Sequence, residues 1–114
     1  MPTSISESYK TAHGPVKLSI VIGDAQLGTS VIKLGLQELT RGPDITGFEI
    51  GQGPKLAGLV LSIKSVVTDV NDKTQHTSIT YLLTGGEKPV SLQLSEAVKE
   101  SGDSIIYRAT VEFK

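Results

Sequence analysis

Ser104-Ile105-Ile106-Tyr107-Arg108-Ala109-Thr110-Val111-Glu112-Phe113-Lys114 decides the fold class. One phase of this segment carries Ile105, Tyr107, Ala109, Val111 and Phe113. The other carries Ile106, Arg108, Thr110 and Glu112. Strict alternation over that length describes a β-strand with one face in the core and one in water. A helix would need apolar residues three and four apart.

The same rhythm runs upstream. Leu18, Ile20 and Ile22 alternate with Lys17, Ser19 and Val21. Leu59, Leu61 and Ile63 alternate within the run 56–70. Past Ser65 the apolar phase moves to Val66 and Val70, which predicts a bulge. Val70-Asn71-Asp72-Lys73-Thr74 reads as a polar loop of hairpin length. Ile79, Tyr81 and Leu83 follow, facing away from His76, Ser78, Thr80 and Thr84. Gly85-Gly86-Glu87-Lys88-Pro89 reverses the chain into Val90, Leu92 and Leu94.

Two stretches read either way. Residues 30–42 place Ile32, Leu36 and Leu39 at helical spacing, but Gly35 in the middle costs a helix about 1 kcal/mol relative to Ala. A strand ending near Glu38 is the preferred reading. Residues 95–102, between a capping Ser95 and a terminating Gly102, predict one short helix or a strand extension.

Seven or eight strands at intervals of about ten residues predict an all-β fold. The expected form is an antiparallel two-sheet sandwich, immunoglobulin-like or jelly-roll-like, with a small β-barrel as the alternative. Residues 1–15 are polar and read as a flexible N-terminal arm that either joins a sheet edge or stays free; residues 16–114 form one sandwich domain. Twelve serines, eleven threonines and twelve glycines among 114 residues suit strands and turns.

Composition removes several functions. Eleven Lys plus Arg against twelve Asp plus Glu leave a formal charge of −1, without the basic excess of a dedicated nucleic-acid or membrane-surface protein. No cysteine is present, so disulfides, iron–sulfur clusters and thiolate zinc sites are excluded. The apolar runs are too short for a spanning helix. The opening Met1-Pro2-Thr3-Ser4-Ile5 has neither a basic nor an apolar leader region, so a cytoplasmic product is expected.

The motifs resolve into turn chemistry. Gly23-Asp24-Ala25-Gln26-Leu27-Gly28-Thr29-Ser30 has the glycines and hydroxyl of a phosphate loop but Thr29 where the lysine belongs. Asp69, Asn71 and Asp72 gather oxygens, with Asp103 far along the chain. That is a calcium-type donor set without EF-hand spacing, and Asx residues also suit turns. His13 and His76 have no metal-ligand spacing. A triad of His76, Asp69 and a nearby serine lacks a nucleophile elbow. The acids, Glu38, Glu49, Glu87, Glu96 and Glu100 among them, fall at turns and wet faces rather than as an opposed pair. Of the five aromatics, Tyr9 and Phe48 are the possible exposed anchors. Thr77, Ser78, Thr80 and Thr110 are read as wet-face hydroxyls. The loop Gly51-Gln52-Gly53-Pro54-Lys55, with Phe48 beside it, is the candidate contact loop.

The expected function is therefore a non-enzymatic protein-interaction module that acts through sheet edges or loops and needs no cofactor. Its partner is another protein or a second copy, not nucleic acid or membrane. The alternatives are a structural subunit of a homo-oligomer and a binder of a small ligand, a sugar or calcium.

Overall fold

The computed structural model describes residues 3–43 and 45–114. Its strands are β1 (Ser4–Tyr9), β2 (Pro15–Ile22), β3 (Leu27–Leu34), β4 (Gln37–Gly42) and β5 (Ile45–Gln52). After the single helical turn α1 (Gly53–Leu56) come β6 (Val60–Thr68), β7 (His76–Thr84), β8 (Val90–Ala97) and β9 (Ser104–Phe113). They form a five-stranded sheet, β1-β9-β6-β3-β4, and a four-stranded sheet, β5-β2-β7-β8. The two sheets are separate and both have open edges. This is a two-sheet sandwich, and the barrel alternative falls.

The β9 alternation places Tyr107, Ala109, Val111 and Phe113 in the core, each at most 1% exposed. The facing sheet supplies Leu18, Ile79, Tyr81 and Leu83, and β3 and β6 add Ile32, Leu61 and Val67. Each large apolar side chain buried this way contributes about 1.5–3 kcal/mol. That face, repeated strand by strand, holds the sheets together.

Several expectations need correction. The arm read over residues 1–15 follows its sheet-edge alternative: Ser4–Tyr9 forms an edge strand that pairs in parallel with β9, from Ser4↔Arg108 to Tyr9↔Phe113. Tyr9 is 2% exposed, not an exposed anchor. Its ring meets Phe113 edge-on at 6.5 Å, and its hydroxyl accepts the Gly86 N–H at 3.0 Å. Serines at alternate positions and Glu7 concealed this strand in the sequence.

The strand read from Ser30 to Glu38 is a hairpin. Leu34 pairs with Gln37 across the two-residue loop Gly35-Leu36. Gly35 has φ +60°, and glycine at the first loop position suits a type II′ turn.

The bulge expected past Ser65 is absent. β6 keeps an unbroken register with β3 and with β9. Ser65 itself faces the core, as does Val67. The apparent change of phase came from a polar residue on the buried face. Ser65 Oγ lies 2.6 Å from Ser30 Oγ and accepts the Tyr81 hydroxyl at 2.9 Å. Thr77, read as wet, is also fully buried. Its Oγ1 donates to the Glu96 carbonyl at 2.6 Å and lies 2.6 Å from the Tyr107 hydroxyl. Buried hydroxyls survive in a core only when paired in this way.

The 70–74 loop is not a hairpin, because β6 and β7 lie in different sheets. It is a crossover held by the buried Gln26 side chain. Gln26 Oε1 accepts the Val70 and Asn71 N–H groups at 2.8 and 2.9 Å, and Nε2 donates to the His76 carbonyl at 3.0 Å. Over residues 95–102 the strand reading holds: β8 runs to Ala97, and no helix follows. The helical turn lies instead at Gly53–Leu56.

Candidate functional site

The contact loop read from the sequence has a packing role. Gly53 is buried, and its N–H donates to the Gly14 carbonyl at 3.0 Å. A Cβ there would lie 1.8 Å from the Ala12 carbonyl oxygen, so only glycine fits. Gly51 is half-buried against Leu56. Gln52, Pro54 and Lys55 are exposed, while Phe48 is half-buried against the core. The structure brings no second functional group to this loop.

The other motifs resolve similarly. The loop starting at Gly23 leads into strand β3, where a phosphate loop needs a helix N-terminus. Its first half is a tight turn: Gln26 N–H donates to the Gly23 carbonyl, with Asp24 and Ala25 at φ +58° and +55°. His76 is exposed at the start of β7. The Asp69 carboxylate has no hydrogen-bond partner among the described residues, so no relay joins it to His76. Among those residues, no three His, Asp or Glu side chains gather as a metal cluster.

The arrangement that the sequence did not reveal lies on the outer face of the five-stranded sheet. A shallow groove of about 490 Å³ is floored by Val31 and Ser62 and flanked by Lys33, Lys64, Arg108 and Arg41. The register explains the assembly. Lys64 is directly opposite Arg108 on β9, and its other neighbour, Val31, is opposite Arg41 on β4. Lys33, opposite Ser62, is therefore diagonal to Lys64. At about 4.8 Å between strands, the row from Arg41 to Arg108 spans about 14 Å.

One of these cations is neutralised. Arg41 Nε donates to Glu38 Oε2 at 3.0 Å and its Nη2 reaches Oε1. This hydrogen bonding holds the Glu38 carboxyl below its usual range and raises the Arg41 guanidinium further. Lys33, Lys64 and Arg108 are exposed and form no ion pair among the described residues. Like charges opposite each other on neighbouring strands destabilise a sheet.

Each of these cations sits on the wet phase of its strand, and that phase is readable. Which cations stand side by side depends on strand order and register, and no single segment carries those. The buried phenols behave as their surroundings dictate. Burial pushes Tyr81 up to about 12, partly opposed by its hydrogen bond to Ser65, and burial also raises Tyr107.

No protein-family model matches the chain, and no curated protein or solved structure matches it. The class defined by the fold is a two-sheet β-sandwich, with nine strands among the described residues and an electropositive groove on its larger sheet.

Proposed function

We propose that this protein is a non-enzymatic interaction module whose larger sheet docks an acidic segment of another protein along the Lys33–Lys64–Arg108 groove. One observation carries the reading: three exposed cations stand on adjoining strands, Lys64 directly opposite Arg108 and Lys33 diagonal to Lys64, and the one acid in the groove lining, Glu38 opposite Lys33, is already hydrogen-bonded to Arg41. Stability favours their dispersal, so their retention points to an external anion. Arg108 offers a planar fork for a carboxylate, and the two lysines offer point charges beside it.

The extent of the charge favours a polypeptide over nucleic acid. The groove's four cations and Glu38 carry a net +3, which leaves −4 on the remainder of a chain with total −1. A row of about 14 Å neutralises two or three carboxylates, while the negative remainder repels a long polyanion.

The test is Lys64→Glu, assayed for binding of a fluorescent Glu/Asp-rich peptide at low and high salt. Binding falls at least tenfold, while the urea midpoint holds or rises, since the variant replaces a repulsive Lys64–Arg108 pair by an attractive one. Unchanged peptide binding refutes the reading. So does tighter binding of a single-stranded oligonucleotide than of the peptide.

A second reading, the structural subunit, rests on β8. Sheet edges invite strand addition unless blunted. β5 is broken by two register shifts, β4 by one shift and two charges, and β1 carries Glu7. β8 pairs with β7 over eight uninterrupted positions, contains neither Pro, Lys nor Arg, and carries its one charge, Glu96, next to its last residue, whereas Glu7 lies within β1. If copies join here, Ser91→Lys with Gln93→Lys on its exposed positions lowers the assembly mass measured by sedimentation. A wild-type mass that stays monomeric at all concentrations rejects it.

A further inference from the structure

Asp69 follows the last residue of β6 and is 4% exposed, yet neither carboxylate oxygen has a hydrogen-bond partner among the described residues. A buried carboxylate without a partner is among the most unfavourable groups a core can hold. The fold does not bury it by accident of sequence neighbours. Asp69 N–H donates to the Asp103 carbonyl at 2.9 Å, which fixes the residue between the crossover loop and the β8–β9 loop. Asp69 lines a depression of about 90 Å³ whose other walls are Val70, Asn71, Asp72 and Ser101. Asp72 and Ser101 are exposed, so the depression opens to solvent.

We propose that this depression is a calcium site, anchored by the Asp69 carboxylate and completed by Asp72, Ser101 and solvent or main-chain oxygens. The donor chemistry selects the ion. Every polar group in the wall is oxygen-bearing, without imidazole or thiolate, which disfavours zinc. Calcium accepts six to eight oxygens in an irregular shell and keeps waters readily, whereas magnesium demands a near-ideal octahedron. Two carboxylates plus water and carbonyl oxygens meet the calcium requirement without a third acid. Asn71 organises the loop rather than leading the coordination: its Nδ2 donates to the Asp24 carbonyl at 2.9 Å and its Oδ1 accepts the Lys73 N–H at 3.0 Å. Gln26 holds the same loop from below at Val70 and Asn71. The anchor is thus fixed before the ion arrives.

The experiment is thermal unfolding of the full chain after treatment with a chelator, titrated with calcium chloride to about 10 mM, above the weakest loop sites known in proteins. Calcium raises Tm by roughly 10 °C at a hundredfold excess over Kd, and magnesium at the same concentration gives less than half that shift. Asp69→Asn abolishes the calcium shift and, in chelator, unfolds at a higher temperature than the wild type, because it removes an uncompensated buried charge. Asp72→Asn, an exposed change that leaves packing untouched, weakens calcium at least threefold. A wild-type Tm that ignores calcium overturns the proposal, as does an Asp69→Asn variant that keeps the full response. Should Asp69→Asn not fold, an unchanged calcium affinity in Asp72→Asn overturns it equally.

Discussion

Ser65→Ala removes one oxygen from the centre of the molecule and leaves two hydroxyls stranded. Ser65, Ser30 and Tyr81 are each at most 2% exposed. Ser65 Oγ is the shared member, 2.6 Å from Ser30 Oγ and 2.9 Å from the Tyr81 hydroxyl that donates to it. A buried polar group left without its partner costs about 1–3 kcal/mol, so two of them cost about 2–6 kcal/mol. Ser30→Ala leaves Ser65 still bonded to Tyr81 and costs about 1 kcal/mol. The triple change Ser30→Ala, Ser65→Ala and Tyr81→Phe strips the network of all its oxygens and recovers most of the Ser65→Ala loss. Urea unfolding reads all three, with an unchanged m-value showing that the unfolded state is unaltered. A Ser65→Ala variant within about 0.5 kcal/mol of wild type, or a triple variant as unstable as the single, would falsify the argument that these hydroxyls act as a unit.

Three other outcomes follow from local geometry. Burial raises Tyr81 to about 12, so the folded state holds that proton more tightly than an unfolded chain titrating near 10. Stability is complete below about pH 10 and declines as pH rises toward 12, by a few kcal/mol at most; alkaline urea titrations measure it, and Tyr81→Phe removes that part of the decline. Ala25 holds φ +55° at the second central position of its turn, where a side chain costs roughly 1 kcal/mol; Ala25→Gly raises the thermal midpoint by a few degrees, and a lowered midpoint counts against the strain. Gly53→Ala drives a methyl group against the Ala12 carbonyl and destabilises by about 1–3 kcal/mol, with proteolysis near residues 10–15 as the local readout.

How far a sequence discloses its structure depends on how far apart the deciding residues lie. β9 was legible because every second residue from Tyr107 to Phe113 is apolar, and a strand needs nothing else. The same logic found β2, β7 and β8. It misplaced features where a polar residue occupies a core position. Ser65 sits between Ile63 and Val67 on one buried face, and reading its hydroxyl as exposed made a straight strand look bulged. β1 was hidden for another reason: its serines and glutamate are exposed, and only Ile5 and Tyr9 mark its inner face, too few to show an alternation. The groove was illegible for a different reason. Lys33, Lys64 and Arg108 belong to three strands whose adjacency follows from a strand order that no local pattern encodes. Asp69 fell between the two cases: its oxygen-rich surroundings were readable, but its burial without a partner and its tie to Asp103 required the fold.

The groove lies across the middle of β6, whereas the Asp69 depression begins just past the end of that strand. Asp69 is five residues beyond Lys64, which at about 3.4 Å per residue places it about 17 Å away along the strand. The charges are screened with a length of about 8 Å at physiological ionic strength, so a divalent ion at Asp69 adds little repulsion or attraction at Lys64. Coupling through the backbone is also small, because β6 is paired on both sides without a register break between the two points. An acidic peptide therefore binds the groove with an affinity that calcium changes less than twofold, whereas each ligand depends steeply on its own residues. A larger effect of calcium on the peptide would mean that the crossover loop moves with the sheet, and the Gln26 bonds that hold it at Val70 and Asn71 would then be the place where that motion enters.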